Sequence, residues 1–322
     1  MNRRGAMGLI GAAVAMPTIL RSQGLPSVVE TASGFEQLHS LIVLRDGEDV
    51  VAEAFGGPGL DRVANVKSVS KTILSLLVGI GVGRGVIDVD GRLLPLLGRT
   101  PSGDARDTIT VSDLLSLRAG LASTSGANYG AWVSSRNWVD FALGQPIEGT
   151  PGQRFIYSTG TTHLLGVALS RASDTSLLRL VRDWLGDPLS IDFAPWVADP
   201  QGNYLGGNDM GVSPRGLARI GQMCLDRGQW NGTQVVPTEW FDAAWTPRAQ
   251  SPWSGDRYGY GWFLTDLAGV PAAYARGYGG QVLAVLPQTR TVIVITSDPN
   301  RPARSAGYFG DLKGLMEEIA AA

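Results

Sequence analysis

Both ends of this chain predict β-strands, whereas the middle predicts helices and loops, and this division limits the fold more than any other feature. β-branched and aromatic residues between turn signals mark the predicted strands, which are Leu41–Leu44, Val50–Phe55, Gly259–Leu264, Ala272–Arg276, Val282–Leu286 and Thr291–Thr296. Proline or Ser/Thr starts mark several of the predicted helices, which are Thr110–Leu117, Trp138–Leu143, Thr161–Arg171, Ser176–Trp184, Pro214–Arg227, Pro237–Trp245 and Ala306–Ala321. The pattern predicts an α/β (α+β) fold: one antiparallel sheet built from both chain ends and flanked by helices, plus a helical lobe.

The domain organisation follows from the same pattern. A chain of 322 residues can bury about three quarters of its extended surface, in one large domain or two tightly packed lobes. We expect one domain, residues 25–322, with a sheet lobe at about 28–90 and 256–322 and a helical lobe at about 91–255. A cleft between two lobes is where small-molecule sites usually form.

Residues 1–24 predict an export signal. Asn2-Arg3-Arg4 supplies a positive start, and Gly8–Met16 is a weakly apolar stretch that is too short to span a membrane. The paired arginines indicate the twin-arginine route, and hence a periplasmic or extracellular protein. The alternative is a frayed N-terminus with chance arginines. No later segment predicts a membrane span, so no stable span is expected after signal removal.

Composition argues against several classes of function. The formal net charge of −2 and the lack of a basic run argue against a nucleic-acid partner. The single cysteine, Cys224, excludes an internal disulfide framework and is predicted to be a core residue. Two histidines, His39 and His163, are too few for a three-histidine zinc site. His163 is predicted to be a hydrogen-bonded core residue, and no metal or other cofactor is expected.

The strongest chemical signal is Ser68-Val69-Ser70-Lys71, which opens the apolar run Thr72–Val82. Ser68 and Lys71 stand three positions apart at a predicted helix start, so their side chains share one face. A lysine that burial keeps neutral can activate a serine hydroxyl. Only three of the 27 basic residues are lysines, and two of the three, Lys67 and Lys71, lie in this stretch or next to it. The alternative is a plain helix N-terminus with a capping serine.

Two further stretches follow along the chain. Tyr157 lies on a loop between the turn at Thr150-Pro151-Gly152 and a predicted helix, where its side chain either reaches into a cleft or lines the core. The glycine-rich stretch Gly277–Gln281 opens a predicted strand, where glycines serve either a ligand or close packing. Each stretch alone has an ordinary structural explanation. The order along the chain of the Ser68–Lys71 motif, the Tyr157 loop and the Gly277–Gln281 stretch is what indicates a function.

This order resembles that of the serine β-lactamase-like hydrolases, a superfamily of class C β-lactamases, D-alanyl-D-alanine peptidases, related esterases and 6-aminohexanoate-dimer hydrolases. The resemblance covers nearly all of the chain after the signal, and flanking stretches agree with it at Leu114–Leu121, Gly206–Met210 and Ser213–Ala218. It implies a β-lactamase/transpeptidase-like fold and a hydrolase that works without a cofactor.

The resemblance also implies roles for individual residues. Ser68 is the nucleophile, and Lys71 is the group that deprotonates it. Tyr157 takes the position of the family's motif tyrosine, which passes the proton to the leaving group and then activates water. Lys71 and Tyr157 are treated as one coupled unit. The oxyanion hole would combine the backbone N–H of Ser68 with one from the strand at Gly280 and Gln281.

Two positions depart from the family pattern. Thr159 stands where the second motif usually ends in Asn, and Tyr278 stands where the third usually begins with Lys or His. Both remain predicted substrate-binding positions. Tyr278 carries no positive charge at neutral pH, and Arg276 would replace that charge only if it points into the cleft. A β-lactam or D-Ala-D-Ala substrate, whose carboxylate that cation helps to hold, is therefore less expected than an ester or amide.

The predicted function is hydrolysis of a small carboxylic ester or a short oligomeric amide through an acyl-enzyme on Ser68. One alternative is a β-lactamase or a D-alanyl-D-alanine peptidase. An alternative of another class is a non-catalytic ligand-binding protein of the same fold. A small-molecule substrate is the one partner that the sequence indicates, and the oligomeric state stays open.

Overall fold

The computed structural model of the protein describes residues 24–322. The predicted export signal therefore lies outside the described residues, apart from Gly24. Within residues 24–322, no helix combines the length and the apolar character that crossing a bilayer requires.

An eight-stranded antiparallel sheet forms the centre of the molecule. Its strands, numbered along the chain, are β1 Leu38–Arg45, β2 Glu48–Ala54, β3 Ala249–Gln250, β4 Arg257–Tyr258, β5 Phe263–Leu267, β6 Val270–Gly277, β7 Gln281–Leu286 and β8 Thr291–Ser297. Their order across the sheet is β2-β1-β8-β7-β6-β5-β4-β3. β1 pairs directly with β8, with Leu41 opposite Ile295, so both chain ends build one sheet, as predicted.

Helices surround this sheet in the described chain. They are α1 Leu25–Ser33, α2 Ser70–Gly83, α3 Leu93–Leu96, α4 Val111–Leu115, α5 Tyr129–Val133, α6 Trp138–Leu143, α7 Thr159–Ala172, α8 Leu177–Val181, α9 Asp187–Leu189, α10 Pro214–Leu225, α11 Thr238–Ala244 and α12 Tyr308–Ala321. Single turns of 3₁₀-helix lie at Lys67–Val69, Ala105–Thr108, Gly126–Asn128 and Pro287–Thr289, and a π-helical turn lies at Arg182–Gly186. Two short strand pairs join Ala64–Asn65 to Gly211–Val212, and Gln229–Trp230 to Thr233–Gln234.

The central strands are buried on both faces of the sheet, and every residue of β7 and β8 is buried. Successive side chains of a strand point to opposite faces. Leu283 accordingly belongs to the buried cluster that includes residues of α2 and α10, whereas Val282 belongs to the one that includes residues of α1 and α12. Helix α2 is mostly apolar and is buried from Ser70 to Gly81, as expected for a helix inside a core. The predicted fold class is confirmed.

Several elements differ from their prediction, as three examples show. The sequence did not predict α1. The strand predicted at Gly259–Leu264 begins only at Phe263, because Gly261 has a left-handed backbone with φ of 77° and the chain before it forms a turn. Helix α10 lies in the range assigned to the helical lobe but packs on the sheet, since its apolar stripe covers β8 and β7.

His163 and Cys224 are core residues, as predicted, and both are fully buried. His163 Nε2 lies 3.2 Å from Asp199 Oδ2. Burial raises the pKa of the Cys224 thiol well above its ordinary value, which makes this cysteine unreactive.

Candidate active site

The predicted nucleophile, Ser68, lies in a tight turn between a short strand and helix α2. Lys67, just before it, has a left-handed backbone with φ of 49°, which costs a residue with a side chain about 1 kcal/mol. Two contacts hold this conformation: the Lys67 N–H donates to Asn65 Oδ1 at 2.9 Å, and Lys67 Nζ lies 2.8 Å from Asp209 Oδ1. Ser68 is thereby presented, partly exposed, at the start of α2.

Lys71 lies one helical turn after Ser68, with only 3% of its surface exposed. Its Nζ is 3.1 Å from Ser68 Oγ. The same nitrogen lies 2.7 Å from the backbone oxygen of Gly207 and 3.3 Å from Thr159 Oγ1. The serine and the lysine of the sequence motif are thus in hydrogen-bond contact.

Burial lowers the pKa of Lys71, because leaving water disfavours the charged ammonium, while nearby Tyr157 and Asp209 oppose this effect. The surroundings suit the neutral amine, which has two N–H donors and one lone pair. Its two N–H groups can donate to Gly207 O and Thr159 Oγ1, which leaves the lone pair to accept the Ser68 hydroxyl proton. This is the arrangement that a general base requires.

Tyr157 faces the same lysine, with Lys71 Nζ 4.9 Å from the centroid of the tyrosine ring. Thr159 begins helix α7, and its N–H donates to Ser125 Oγ at 2.9 Å, which fixes the threonine beside Lys71. The structure therefore brings Ser68, Lys71, Tyr157 and Thr159 together from two distant stretches of the chain.

Strand β6 reaches the nucleophile turn through Gly277. A Cβ atom at Gly277 would lie only 2.5 Å from Val66 O, so glycine is what allows the strand to come this close. Tyr278 follows, with 53% of its surface exposed. In the described part of the chain, neither the Tyr278 N–H nor the Ser68 N–H has a hydrogen-bond acceptor.

Gly280 and Gln281, the predicted oxyanion residues, lie beyond this close approach. The Gly280 N–H already donates to Gly277 O at 3.1 Å. Gln281 is fully buried, and its side-chain amide is bonded to the main chain of Ser297 on the neighbouring strand. The structure does not bring these two residues to the nucleophile, because the chain turns back between β6 and β7.

Arg276 borders the same cavity as Ser68 and Tyr157, but the C-terminal segment engages its guanidinium. Nη1 donates to Ser305 Oγ at 3.0 Å, and Nη2 donates to Ala303 O at 3.3 Å. The guanidinium carbon also lies 3.5 Å from the centroid of the Phe309 ring. Burial lowers the pKa of Arg276.

The loop Gly206–Met210 forms another wall of the site. It is clamped to the nucleophile turn, since Val66 N–H donates to Met210 O at 3.1 Å and Met210 N–H donates to Ser70 Oγ at 3.0 Å. The sequence indicated this loop only as part of a family resemblance and gave its residues no role.

Two residues of this loop lie in the site although the sequence did not predict them there. Asn208 Oδ1 lies 3.4 Å from Ser68 Oγ, and Asp209 is the ion-pair partner of Lys67. One sequence signal could have indicated Asp209. Two of the chain's three lysines, Lys67 and Lys71, lie close together, and two neighbouring positive charges favour a carboxylate nearby.

The histidines lie apart from this cluster: His163 is bonded to Asp199 in the core, and His39 lies beside Gly57. Among residues 24–322, no group of three or more histidine, cysteine, aspartate or glutamate side chains is placed to hold a metal ion. The groups gathered around Ser68 are an amine, hydroxyls, a phenol, a side-chain amide and backbone N–H donors.

The resemblance to serine β-lactamase-like proteins is confirmed by comparison with known proteins. The chain belongs to the beta-lactamase family, whose model, described as Beta-lactamase, matches residues 18–312. No curated protein matches the chain.

Solved structures share the fold at low sequence identity. A penicillin-binding protein homolog from Caulobacter crescentus superposes with a TM-score of 0.76 at 16% identity, covering 94% of this chain and 97% of that chain. A Bacillus anthracis protein named as a putative 6-aminohexanoate-dimer hydrolase superposes with a TM-score of 0.76 at 17% sequence identity, covering 92% of this chain and 80% of that chain. EstCE1, a hydrolase with promiscuous acyltransferase activity, superposes with a TM-score of 0.72 at 16% sequence identity, covering 94% of this chain and 98% of that chain. At these identities the likeness shows the fold alone.

Proposed function

We propose that the protein is a serine hydrolase that cleaves a small carboxylic ester or a short amide through an acyl-enzyme on Ser68. One observation carries the proposal: Ser68 Oγ lies 3.1 Å from the Nζ of buried Lys71, whose other polar neighbours leave its lone pair for the serine. Burying a lysine is costly, and active sites are where such costs are commonly found. EstCE1, as a hydrolase that also transfers acyl groups, supports acyl chemistry on this fold.

In the first step, Ser68 Oγ attacks the carbonyl carbon of the substrate, and the hydroxyl proton passes to Lys71 Nζ. The carbonyl oxygen becomes an oxyanion, which we place between the N–H groups of Ser68 and Tyr278. Both donors lack an acceptor, and Gly277 holds the strand against the nucleophile turn. Such donors typically lower the barrier by about 3 kcal/mol each. This assignment moves the second donor from the predicted Gly280–Gln281 strand to Tyr278.

In the second step, the bond to the leaving group breaks, and the departing oxygen or nitrogen takes up a proton. We assign this transfer to Tyr157, whose ring lies against Lys71, so that the proton passes from Lys71 through the phenol. The same pair then activates the water that hydrolyses the acyl-enzyme.

Two side chains favour an ester or amide over a β-lactam or a D-alanyl-D-alanine peptide. Tyr278 supplies no cation for a substrate carboxylate. The Arg276 guanidinium is engaged by Ser305, Ala303 and Phe309, so it does not simply replace the missing charge.

Hydrolysis of short-chain p-nitrophenyl esters and of a chromogenic cephalosporin, measured in parallel, tests the proposal. We expect ester turnover with little cephalosporin turnover, and mass spectrometry of protein quenched during turnover should find one acyl group on the Ser68 peptide. Steady cephalosporin hydrolysis would favour the β-lactamase or peptidase alternative. Failure of Ser68 to react with any activated ester or phosphonate would favour a non-catalytic binding protein.

Gly277→Ala is expected to lower kcat/KM for the ester by about tenfold or more, because displacing one oxyanion donor removes much of its stabilisation. The added methyl would lie 2.5 Å from Val66 O and push β6 away from Ser68. Steady-state kinetics and thermal unfolding are the measurements. Gly314→Ala is the matched control, because a Cβ there meets nothing within 4 Å, and it should keep full activity. Unchanged kinetics in Gly277→Ala would contradict the assignment of the oxyanion hole.

We also propose that the protein is exported by the twin-arginine route, on the basis of Arg3-Arg4 and the apolar stretch Gly8–Met16. Cell fractionation checks this: export predicts the protein outside the cytosol, and replacing both arginines by lysine should retain it inside. Full retention of the unaltered chain in the cytosol would exclude the route.

A further inference from the structure

The mechanism above gives no role to Asn208, although its side chain lies beside the nucleophile. Asn208 Oδ1 is 3.4 Å from Ser68 Oγ. The other end of the amide, Nδ2, lies 3.1 Å from Asp209 Oδ2 and 3.3 Å from the Tyr129 hydroxyl. The residue is only partly buried, so a substrate bound at Ser68 can reach it.

Asp209 determines which end of the Asn208 amide faces the nucleophile. An ionised carboxylate only accepts hydrogen bonds, so the NH₂ group must face Asp209 and the oxygen must face Ser68. Asp209 is itself held in place, because its Oδ1 accepts from Lys67 Nζ and from Asn65 Nδ2, each at 2.8 Å. A hydrogen-bond acceptor is thus fixed beside the reacting atom.

We infer that Asn208 directs the protein to amides: its Oδ1 accepts the N–H of the scissile amide while Ser68 attacks. This inference rests on the proposed function and narrows its substrate class. A trans amide carries its C=O and its N–H on opposite sides. A carbonyl oxygen bound at Tyr278, just after β6, therefore turns the N–H away from that strand, and Asn208 comes from a different element, the loop Gly206–Met210.

The contact contributes to the bond-breaking step. As Ser68 Oγ bonds to the carbonyl carbon and its proton passes to Lys71, the amide nitrogen becomes pyramidal and gains a lone pair. With its N–H held by Asn208, this lone pair points away from Asn208, where Tyr157 can protonate it. The C–N bond then breaks and the amine leaves, with the acyl group on Ser68.

An ester cannot use this contact. Its leaving oxygen has no hydrogen to donate, and its lone pairs would face those of Asn208 Oδ1. Because the nitrogen becomes pyramidal only during attack, the favourable contact belongs mainly to the transition state and raises the rate for amides selectively.

A pair of probes that differ only in the scissile bond tests this inference: the p-nitroanilide and the p-nitrophenyl ester of one short acyl group. Both pass through the same acyl-enzyme, so kcat/KM compares the acylation steps alone. In Asn208→Ala, kcat/KM for the anilide should fall about tenfold, and that for the ester should change less than about twofold, as loss of one hydrogen bond predicts. Retained ester turnover also shows that the variant is folded.

Two further variants sharpen the test. Asp209→Asn keeps Asn208 but removes the acceptor-only partner that orients it, so the ratio of anilide to ester kcat/KM should also fall. Asn128→Ala removes an exposed asparagine from the loop before Tyr129, where its Nδ2 donates to Ser123 O, and it should leave the ratio unchanged.

Equal losses on both probes in Asn208→Ala, or no loss on the anilide, would overturn the inference and leave the proposed function standing. If the wild-type protein hydrolysed the ester but not the anilide, the inference would also be overturned and the proposed function would stand. Absence of turnover of both probes, with no acylation of Ser68, would instead refute the proposed function and this inference with it.

Discussion

Ser68→Ala is expected to reduce kcat for p-nitrophenyl ester hydrolysis by about 10³-fold or more, as removal of the nucleophile does in serine hydrolases. Without Oγ no acyl-enzyme can form, so mass spectrometry should find no acyl group on the protein. The backbone donors at Ser68 and Tyr278 remain, so substrate should still bind and KM should change little. The measurements are initial rates and the intact mass of protein quenched during turnover.

Ser75→Ala is the matched control for this loss. Ser75 lies on α2, the helix that follows Ser68, is fully buried, and donates to Tyr260 O at 2.6 Å. Its loss should lower the free energy of unfolding by about 1–3 kcal/mol, since it leaves a buried carbonyl unpaired, while kcat stays near the wild-type value. Thermal unfolding of both variants separates a lost nucleophile from a lost fold. Wild-type kcat in Ser68→Ala would contradict the proposed mechanism.

Lys71→Met is expected to reduce kcat/KM by about 10³-fold, because methionine fills a similar volume but cannot accept the Ser68 proton. In the wild type, the amine accepts a proton only while it is neutral. Activity should therefore rise with pH through the pKa of Lys71, and burial moves this rise below the ordinary lysine value of 10.5. The measurement is kcat/KM as a function of pH, and in Lys71→Met the increase of kcat/KM with pH should be absent.

The same group affects stability in a defined direction. Between the lowered pKa of folded Lys71 and 10.5, the unfolded chain binds a proton that the folded chain does not hold. The free energy of unfolding should therefore increase with pH across that window through this group, and Lys71→Met should remove this contribution.

Lys313→Met is the control for the lysine prediction. Lys313 is bonded to Asp256 at 3.0 Å, outside the Ser68 cluster, so its loss should leave the pH dependence of kcat/KM in place. If Lys71→Met kept the rise of kcat/KM with pH, another group would have to be the base.

Much of the fold could be predicted because its signals are local. Apolar runs between turn residues marked β1, β2, β6, β7 and β8, and the motif at Ser68 marked the start of the buried helix. The spacing of Ser68 and Lys71 needs only one turn of helix to bring both side chains together, which is why this part of the site followed from the sequence.

The rest depends on contacts between distant parts of the chain. Asn208 and Gly207 face Lys71 and Ser68 only because Gly211 pairs with Asn65, and no local pattern records that pairing. The sequence predicts the second oxyanion donor at Gly280 or Gln281, whereas the mechanism proposed here uses Tyr278, because the tight turn after Gly277 leaves no local signal in a glycine-rich run. In the described chain the Gly280 N–H is bonded to Gly277 O, and no acceptor faces the Tyr278 N–H.

Because β1 lies between β2 and β8, the sheet cannot be completed until the ribosome has made residue 297. A nascent chain that ends at α7 already carries Ser68, Lys71 and Tyr157, but it has neither the loop Gly206–Met210 nor the strand that ends at Gly277. Pairings between such distant residues are slow to form. The unfinished chain therefore holds the proposed nucleophile and base without the rest of the site around them, and the proposed activity should appear only when synthesis is nearly complete.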